Sequence, residues 1–215
     1  MQYPIHMEIA GRVCVIIGGG RVAERKAQLL LQAGAHLTVI APSLTNPLYQ
    51  EAATGCFFWL ARPYEAGFLR RVRPFLVFCT TDNHAVNRLA AEEAREACAL
   101  VNVADEPGLS DFFVPASIRR GKFLLSIGTG GLSPAFSRCL RGQLEQAFPP
   151  AFGLWLERLA LVRRELKEKL PTSDDRQVFW RMALSRDIID LVRAGQLDRA
   201  EVLIRHAIIG FRAQS

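Results

Sequence analysis

Residues 12–17, Arg-Val-Cys-Val-Ile-Ile, form a short β-branched apolar run that stops at three glycines, Gly18 to Gly20, and gives way to apolar positions at helical spacing from Val22 to Ala33. Such a change of period predicts strand, tight turn and helix. Gly34 closes the helix, and His36 to Ala41 supplies a second strand after a very short connection. Together the pieces make a βαβ unit of about 30 residues. The alternation goes on. Pro42-Ser43 opens a segment ending near Ala53, followed by a strand from Cys56 to Leu60, a short helix from Glu65 to Arg71 and a strand from Phe75 to Cys79. An amphipathic helix from Asn83 to Cys98 and a buried strand from Leu100 to Val103 complete the series. Strands alternating with helices predict an α/β fold, a doubly wound parallel sheet with right-handed connections and helices on both faces.

At Asp111 the pattern changes. Phe113 to Arg119 and Lys122 to Ile127 are apolar-rich runs joined across Arg120-Gly121, which predicts an antiparallel hairpin. Gly128-Thr129-Gly130-Gly131 follows, and Ser133-Pro134 places an N-cap residue before a first-turn proline, starting a helix to about Gln146. Beyond Pro149-Pro150 the chain reads as helical over Ala151 to Leu170, Asp174 to Ala194 and Leu197 to Ala207, with Pro171 and Gly195 as breaks. These changes divide the chain into residues 1–112, a mixed α+β segment 113–148 and a helical region 149–215.

With 215 residues, 50% apolar and 22% charged, the chain has the balance of a globular protein, and no charge-free apolar run reaches the length of a membrane span. Met1 to Ala10 carries Glu8 and no basic stretch, so it does not read as a signal peptide, and a cytoplasmic location is expected. The five cysteines, Cys14, Cys56, Cys79, Cys98 and Cys139, show no C-x-x-C spacing and read as small core residues. His6, His36, His84 and His206 are scattered, so no metal-ligand set is expected. The net charge of +6 lies in the second half of the chain. Residues 1–112 carry 10 Lys/Arg against 11 Asp/Glu, residues 113–150 carry 5 against 1, and residues 151–215 carry 12 against 9. An anionic small molecule, nucleic acid or a membrane surface could use that surplus, as could a merely solvated face.

Gly18-Gly19-Gly20-Arg21-Val22-Ala23 fits G-x-G-x-x-A between a strand and a helix. There glycines let the backbone approach a pyrophosphate, and the helix N-terminus offers free N–H groups. Neither an acid nor an arginine follows the second strand at Val39-Ile40-Ala41-Pro42-Ser43, which leaves NAD versus NADP open while Ser43 and backbone groups remain to contact the ribose. Thr80-Thr81-Asp82, at the carboxyl end of the fourth strand, should line the same crevice; Asp82 reads equally as an N-cap. Asp105, just past a buried strand in Val101-Asn102-Val103-Ala104-Asp105-Glu106-Pro107, is the candidate proton acceptor beside a nicotinamide, or else a turn former before Pro107-Gly108.

Taken in order, Gly18-Gly19-Gly20-x-Val22-Ala23-x-Arg25-Lys26, Thr80-Thr81-Asp82-x-x-x-Val86-Asn87, Asn102-Val103-x-Asp105 and Ser126-x-x-x-Gly130-Gly131-x-Ser133-Pro134 resemble the precorrin-2 dehydrogenase family, which includes the dehydrogenase/chelatase module of sirohaem synthase. The resemblance covers residues 1 to about 148. It implies a Rossmann-like NAD-binding domain, NAD-dependent oxidation of precorrin-2 to sirohydrochlorin and, in several members, insertion of Fe²⁺ to give sirohaem. By the same resemblance Asp105 is the essential residue, and cofactor contacts fall on Gly20, Arg21, Val22, Pro42, Ser43, Thr80, Thr81, Asn102 and Val103; Gly18 joins them as part of the glycine bend, and a chelatase role would call on Asp105 together with His84 to accept pyrrole protons or guide iron. Thr129 stands where the sirohaem synthase carries a phosphorylated serine.

The family also implies a homodimer in which residues 113–148 exchange between subunits, and on that basis the tetrapyrrole is expected between the cofactor cleft and the partner's segment. At 215 residues, the chain is expected to lack the methyltransferase domain fused in some relatives. Precorrin-2 is a polycarboxylate, so Arg119, Arg120, Lys122, Arg138 and Arg141 are candidate substrate cations. An NAD-binding regulatory module without chemistry is the main rival. Such modules usually keep an acid after the second strand, which is missing here. No recognised nucleic-acid motif and no basic stripe with interleaved aromatics is present, so neither nucleic acid nor membrane is expected as a partner.

Overall fold

A computed structural model describes residues 2–212, which fall into two compact units, one from Tyr3 to Val114 and the other from Pro115 on. In the first, strands β1 (Val13–Ile17), β2 (His36–Ile40), β3 (Phe58–Leu60), β4 (Leu76–Cys79) and β5 (Leu100–Val103) form a parallel sheet in the order β3-β2-β1-β4-β5. Helices α1 (Arg21–Gln32), α2 (Asn46–Ala53), α3 (Phe68–Val72) and α4 (His84–Glu96) connect them, and a single 3-10 turn at Pro107–Leu109 follows β5. This is the doubly wound α/β architecture that the alternating pattern predicts.

Side chains alternate across a strand, so each strand of a covered sheet feeds two cores. Cys14 and Ile16 of β1 pack with Ala23, Ala27 and Leu30 of α1 and Leu48 of α2, while Val15 and Ile17 pack on the opposite face with Leu69 of α3 and Ala90, Ala91 and Ala94 of α4. Small residues on α1 and α4 let both helices lie close to the sheet.

The second unit begins with an antiparallel hairpin, β6 (Ala116–Arg120) and β7 (Phe123–Ile127), followed by α5 (Pro134–Ala147), α6 (Ala151–Lys169), α7 (Ser173–Ala183), α8 (Arg186–Arg193) and α9 (Leu197–Arg212). The turn sits one residue later than the sequence pattern placed it: Arg120 pairs with Phe123, and Gly121 takes the left-handed conformation at φ +57°. Phe123 stacks on Phe148, and Phe152 packs tilted against the first and edge-on against the second, joining the hairpin to α6. Val162, Leu166, Phe179, Ile188, Val192 and Ile204 continue that core through the helices.

Two sequence expectations fail here. The helix expected from Asp174 to Ala194 is broken at Leu184-Ser185, because Leu184 leaves the helical conformation at ψ +60° and Ser185 caps a new helix. Only Cys14 and Cys79 belong to the core; Cys56, Cys98 and Cys139 are exposed. Cys98, for example, takes a left-handed φ of +59° just beyond the end of α4 and faces solvent. Burial pushes the Cys14 thiol up to about 11 and that of Cys79 up to about 12, so both remain protonated near neutrality.

Candidate active site

The carboxyl edge of the parallel sheet is set by a register row. Ile17 lies opposite Cys79, and Cys79 opposite Val103. The glycine bend leaves the row from Ile17, Thr80-Thr81 from Cys79, and Ala104-Asp105 from Val103. Neighbouring strands lie about 4.8 Å apart, so the backbones leaving β1 and β5 are about 10 Å apart across β4. Hydrogen bonds carry the row one residue further: Gly18 donates to Ile40 O at 2.9 Å, Thr80 to Ile17 O at 2.8 Å and Ala104 to Cys79 O at 2.8 Å. The candidate residues of three loops therefore share one edge, where open α/β sheets bind their ligands.

The three glycines differ in kind. Gly18 has φ +119°, and a Cβ there would stand 2.6 Å from Thr80 Oγ1. A Cβ on Gly19 would lie 2.0 Å from the carbonyl oxygen of Ser43. Gly19 is absent from the candidate contacts read from sequence, since only the folded loop after β2 shows what presses on it. Gly20 has open space around it and caps α1 without a side-chain hydrogen bond. The first amides of α1 have no intrahelical acceptor, as at any helix start, and no capping side chain takes them up. This bend is a cradle that backbone can enter and side chains cannot, and it fits the diphosphate of a nicotinamide dinucleotide.

Beside it lies a shallow cleft of about 680 Å³, lined by Arg21, Glu24, Arg25, Thr45, Asn46 and Pro47. Glu24 accepts from the Thr45 hydroxyl at 2.6 Å, tying α1 to the start of α2. Pro42 and Ser43 are exposed above this junction, Arg21 is exposed and Val22 is half-buried.

The other candidate contacts are largely committed to holding the loops. Thr80 is buried and its hydroxyl donates to Ile17 O at 3.0 Å. Thr81 donates to the side-chain oxygen of buried Asn87 at 2.7 Å, and Asn87 returns a bond to Thr81 O at 2.9 Å. Asn102 is buried and donates to Phe112 O, while Val103 is clasped by the Ser110 hydroxyl. The cap of α4 is Asn83, whose side chain accepts from the amides of Ala85 and Val86; the alternative reading of Asp82 as that cap is corrected, because Asp82 precedes it and is exposed.

Asp105 is exposed, sits in the turn after β5 with φ +62°, and makes no hydrogen bond or ion pair among the described residues. Its neighbour is the opposite. Glu106 Oε1 is 2.8 Å from His84 Nδ1, its Oε2 is 3.4 Å from Arg88 Nε, and its side chain is only 16% exposed. The hydrogen bond from His84 holds the Glu106 carboxyl below its ordinary value, with Arg88 adding to the effect.

In the second unit, Arg120 is used internally: its Nε donates to Phe148 O at 3.1 Å beyond α5. Arg141 lies 3.7 Å from Glu145, whereas Arg119, Lys122 and Arg138 are exposed and without ion-pair partners among the described residues. Thr129 Oγ1 is 3.1 Å from Ser137 Oγ. Among the described residues no group of three or more His, Cys, Asp or Glu side chains could hold a metal ion.

A family model described as "Putative NAD(P)-binding" matches residues 5–116, and one described as "Sirohaem synthase dimerisation region" matches residues 151–208. The chain belongs to the family of the sirohaem synthase NAD(P)-binding module. The dimerisation model lies C-terminal to residues 113–148, the segment to which the sequence resemblance assigned subunit exchange. Family members include a siroheme synthase of Nitrosococcus oceani, 35% identical over 211 residues, covering 98% of this chain and 45% of that protein. Siroheme synthase 1 of Aeromonas salmonicida is 37% identical over 188 residues, covering 87% of this chain and 40% of that one. The chain thus spans less than half the length of these curated relatives. A solved structure titled "SirC, precorrin-2 dehydrogenase" shares the fold with a TM-score of 0.72 and 22% identity, over 99% of this chain and all of that one. No helix among the described residues is long and apolar enough to cross a membrane.

Proposed function

We propose that the protein oxidises precorrin-2 to sirohydrochlorin with NAD⁺ as hydride acceptor. The observation that carries this reading is the shared sheet edge, where the glycine bend and Asp105 leave the Ile17-Cys79-Val103 row with one strand between them. The 35% identity to a siroheme synthase supports the choice of substrate.

When bound, the nicotinamide cofactor supplies the hydride acceptor. Gly18 to Val22 and the first-turn amides of α1 hold its diphosphate, and Pro42-Ser43 meets the adenosine ribose. Precorrin-2 loses two hydrogens in becoming sirohydrochlorin: one leaves as hydride, and Asp105 accepts the other as a proton and passes it to water. Since the product gains conjugation, positioning matters more than strong acid-base chemistry. Arg119, Lys122 and Arg138, which have no ion-pair partner among the described residues, are the cations offered to the substrate carboxylates in the homodimer. In metal insertion Fe²⁺ is a substrate, and Asp105 accepts the two pyrrole protons one at a time and passes each to water. Five cysteines without a disulfide fit a cytoplasmic setting.

Anaerobic incubation with precorrin-2 and NAD⁺ tests the proposal, followed by addition of Fe²⁺ or Co²⁺. The expected result is NADH formation matched by the absorbance change of the tetrapyrrole. Binding of NAD⁺ without turnover would overturn the enzymatic reading and leave a regulatory module.

A further inference from the structure

The turn that carries Asp105 holds two adjacent carboxylates with opposite environments. Asp105 is exposed and unpartnered in a left-handed conformation, which Asp and Asn tolerate better than other non-glycine residues. Glu106 is mostly shielded and engaged by two side chains of α4, the His84 imidazole from its first turn and the Arg88 guanidinium one turn later. Backbone ties hold the same segment: Ala104 N to Cys79 O, Leu109 N to Glu106 O at 3.1 Å and Ser110 Oγ to Glu106 O at 3.4 Å. Neighbouring carboxylates in one turn compete for the same cations. A cation bound to Asp105 would stabilise its anion and weaken it as a proton acceptor.

We propose that Glu106 is a positioning residue, whose carboxylate occupies His84 and Arg88 and pins the turn to α4, so that the Asp105 carboxylate is left unpaired for the substrate. The proposal rests on Asp105 being the proton acceptor. It extends the site beyond the carboxylate that acts to the three side chains that keep it free. Glu106 and His84 touch no reacting atom in this scheme, and their effect passes through Asp105 alone.

The test is a mutant cycle on the full chain, measuring NADH formation from precorrin-2 and, separately, NAD⁺ affinity by calorimetry and melting temperature. Glu106→Ala is expected to lower kcat about tenfold, with KM for both substrates, NAD⁺ affinity and melting temperature near wild type. Glu106→Gln, which still accepts hydrogen bonds, is expected to recover most of that loss. His84→Ala removes one of the two ties that pin the turn to α4 while Arg88 keeps the other, and should reproduce part of the kcat effect. In an Asp105→Asn background, Glu106→Ala should change kcat no further, because residues acting through one group are not additive. Wild-type kcat in Glu106→Ala with an inactive Asp105→Asn overturns the positioning role alone. A kcat loss matched by lost NAD⁺ affinity or a lowered melting temperature overturns it in favour of a structural role. Wild-type kcat in Asp105→Asn instead overturns the proton-acceptor reading and the positioning role with it.

Discussion

The carbonyl oxygen of Ser43 sits where a side chain on Gly19 would begin, 2.0 Å from the position of its Cβ, whereas a Cβ on the adjacent Gly20 meets nothing within 4 Å. The two glycines serve different ends, so Gly19→Ala and Gly20→Ala separate folding from binding. Gly19→Ala must push the loop after β2 away from the bend and is expected to lose about 2 kcal/mol or more of stability. Gly20→Ala should keep stability within about 1 kcal/mol yet weaken dinucleotide binding, because its methyl enters the space of the diphosphate. Urea unfolding and calorimetric titration with NAD⁺ read the two effects separately.

Asp105→Asn retains a side chain that tolerates the left-handed backbone and removes the proposed proton acceptor. NADH formation should fall by about 10² to 10⁴, with NAD⁺ affinity and melting temperature unchanged. Stopped-flow absorbance at the nicotinamide band measures the rate.

Glu93 of α4 is 2% exposed and gathers three donors, the Tyr64 hydroxyl, the Gly67 amide at 2.8 Å and the Arg70 amide at 2.9 Å. Glu93→Ala strands them and is expected to cost about 3 kcal/mol. Burial raises the Glu93 pKa, but the hydrogen bonds from Tyr64 and the backbone outweigh it, and the net value falls below the ordinary 4.5. A depressed folded-state pKa contributes stability that is present above the unfolded value and lost as pH falls through the folded one. The stability gap between wild type and Glu93→Gln should therefore narrow below pH 4.5, which urea titrations at about pH 7 and about pH 3.5 would show.

Gly153 of α6 lies against the hairpin turn, and a Cβ there would stand 2.4 Å from Arg120 O. Gly153→Ala should destabilise the second unit by about 2 kcal/mol or more while leaving NAD⁺ affinity, proposed for the first unit, near wild type. Calorimetric scanning together with NAD⁺ titration decides it.

Among the basic residues, Arg120 donates to Phe148 O, while Arg119, Lys122 and Arg138 have no ion-pair partner among the described residues. Arg120→Ala should lower the melting temperature. Arg119→Ala, Lys122→Ala and Arg138→Ala should instead raise KM for precorrin-2 several-fold, more so at low salt, without changing stability. Steady-state kinetics at two ionic strengths distinguish the groups.

Period and punctuation along the chain determined the first unit almost element by element. Val13 to Ile17, Gly18 to Gly20 and the α1 repeat are local signals, in which β-branched residues stiffen a strand and a glycine run ends it. The acid after β5 was legible for the same reason, because a parallel sheet places every strand's carboxyl end on one edge. Local signals could not show the break at Leu184-Ser185. Apolar spacing runs on through it, and the turn is set by burying Ile188 and Val192 beside Phe179 and Leu166. Nor could they separate Gly19 from Gly20, reveal the three donors gathered by Glu93, or divide the basic residues into Arg120 and the rest. Each of those depends on an atom more than twenty residues away in the chain, whose approach only the packed tertiary structure decides.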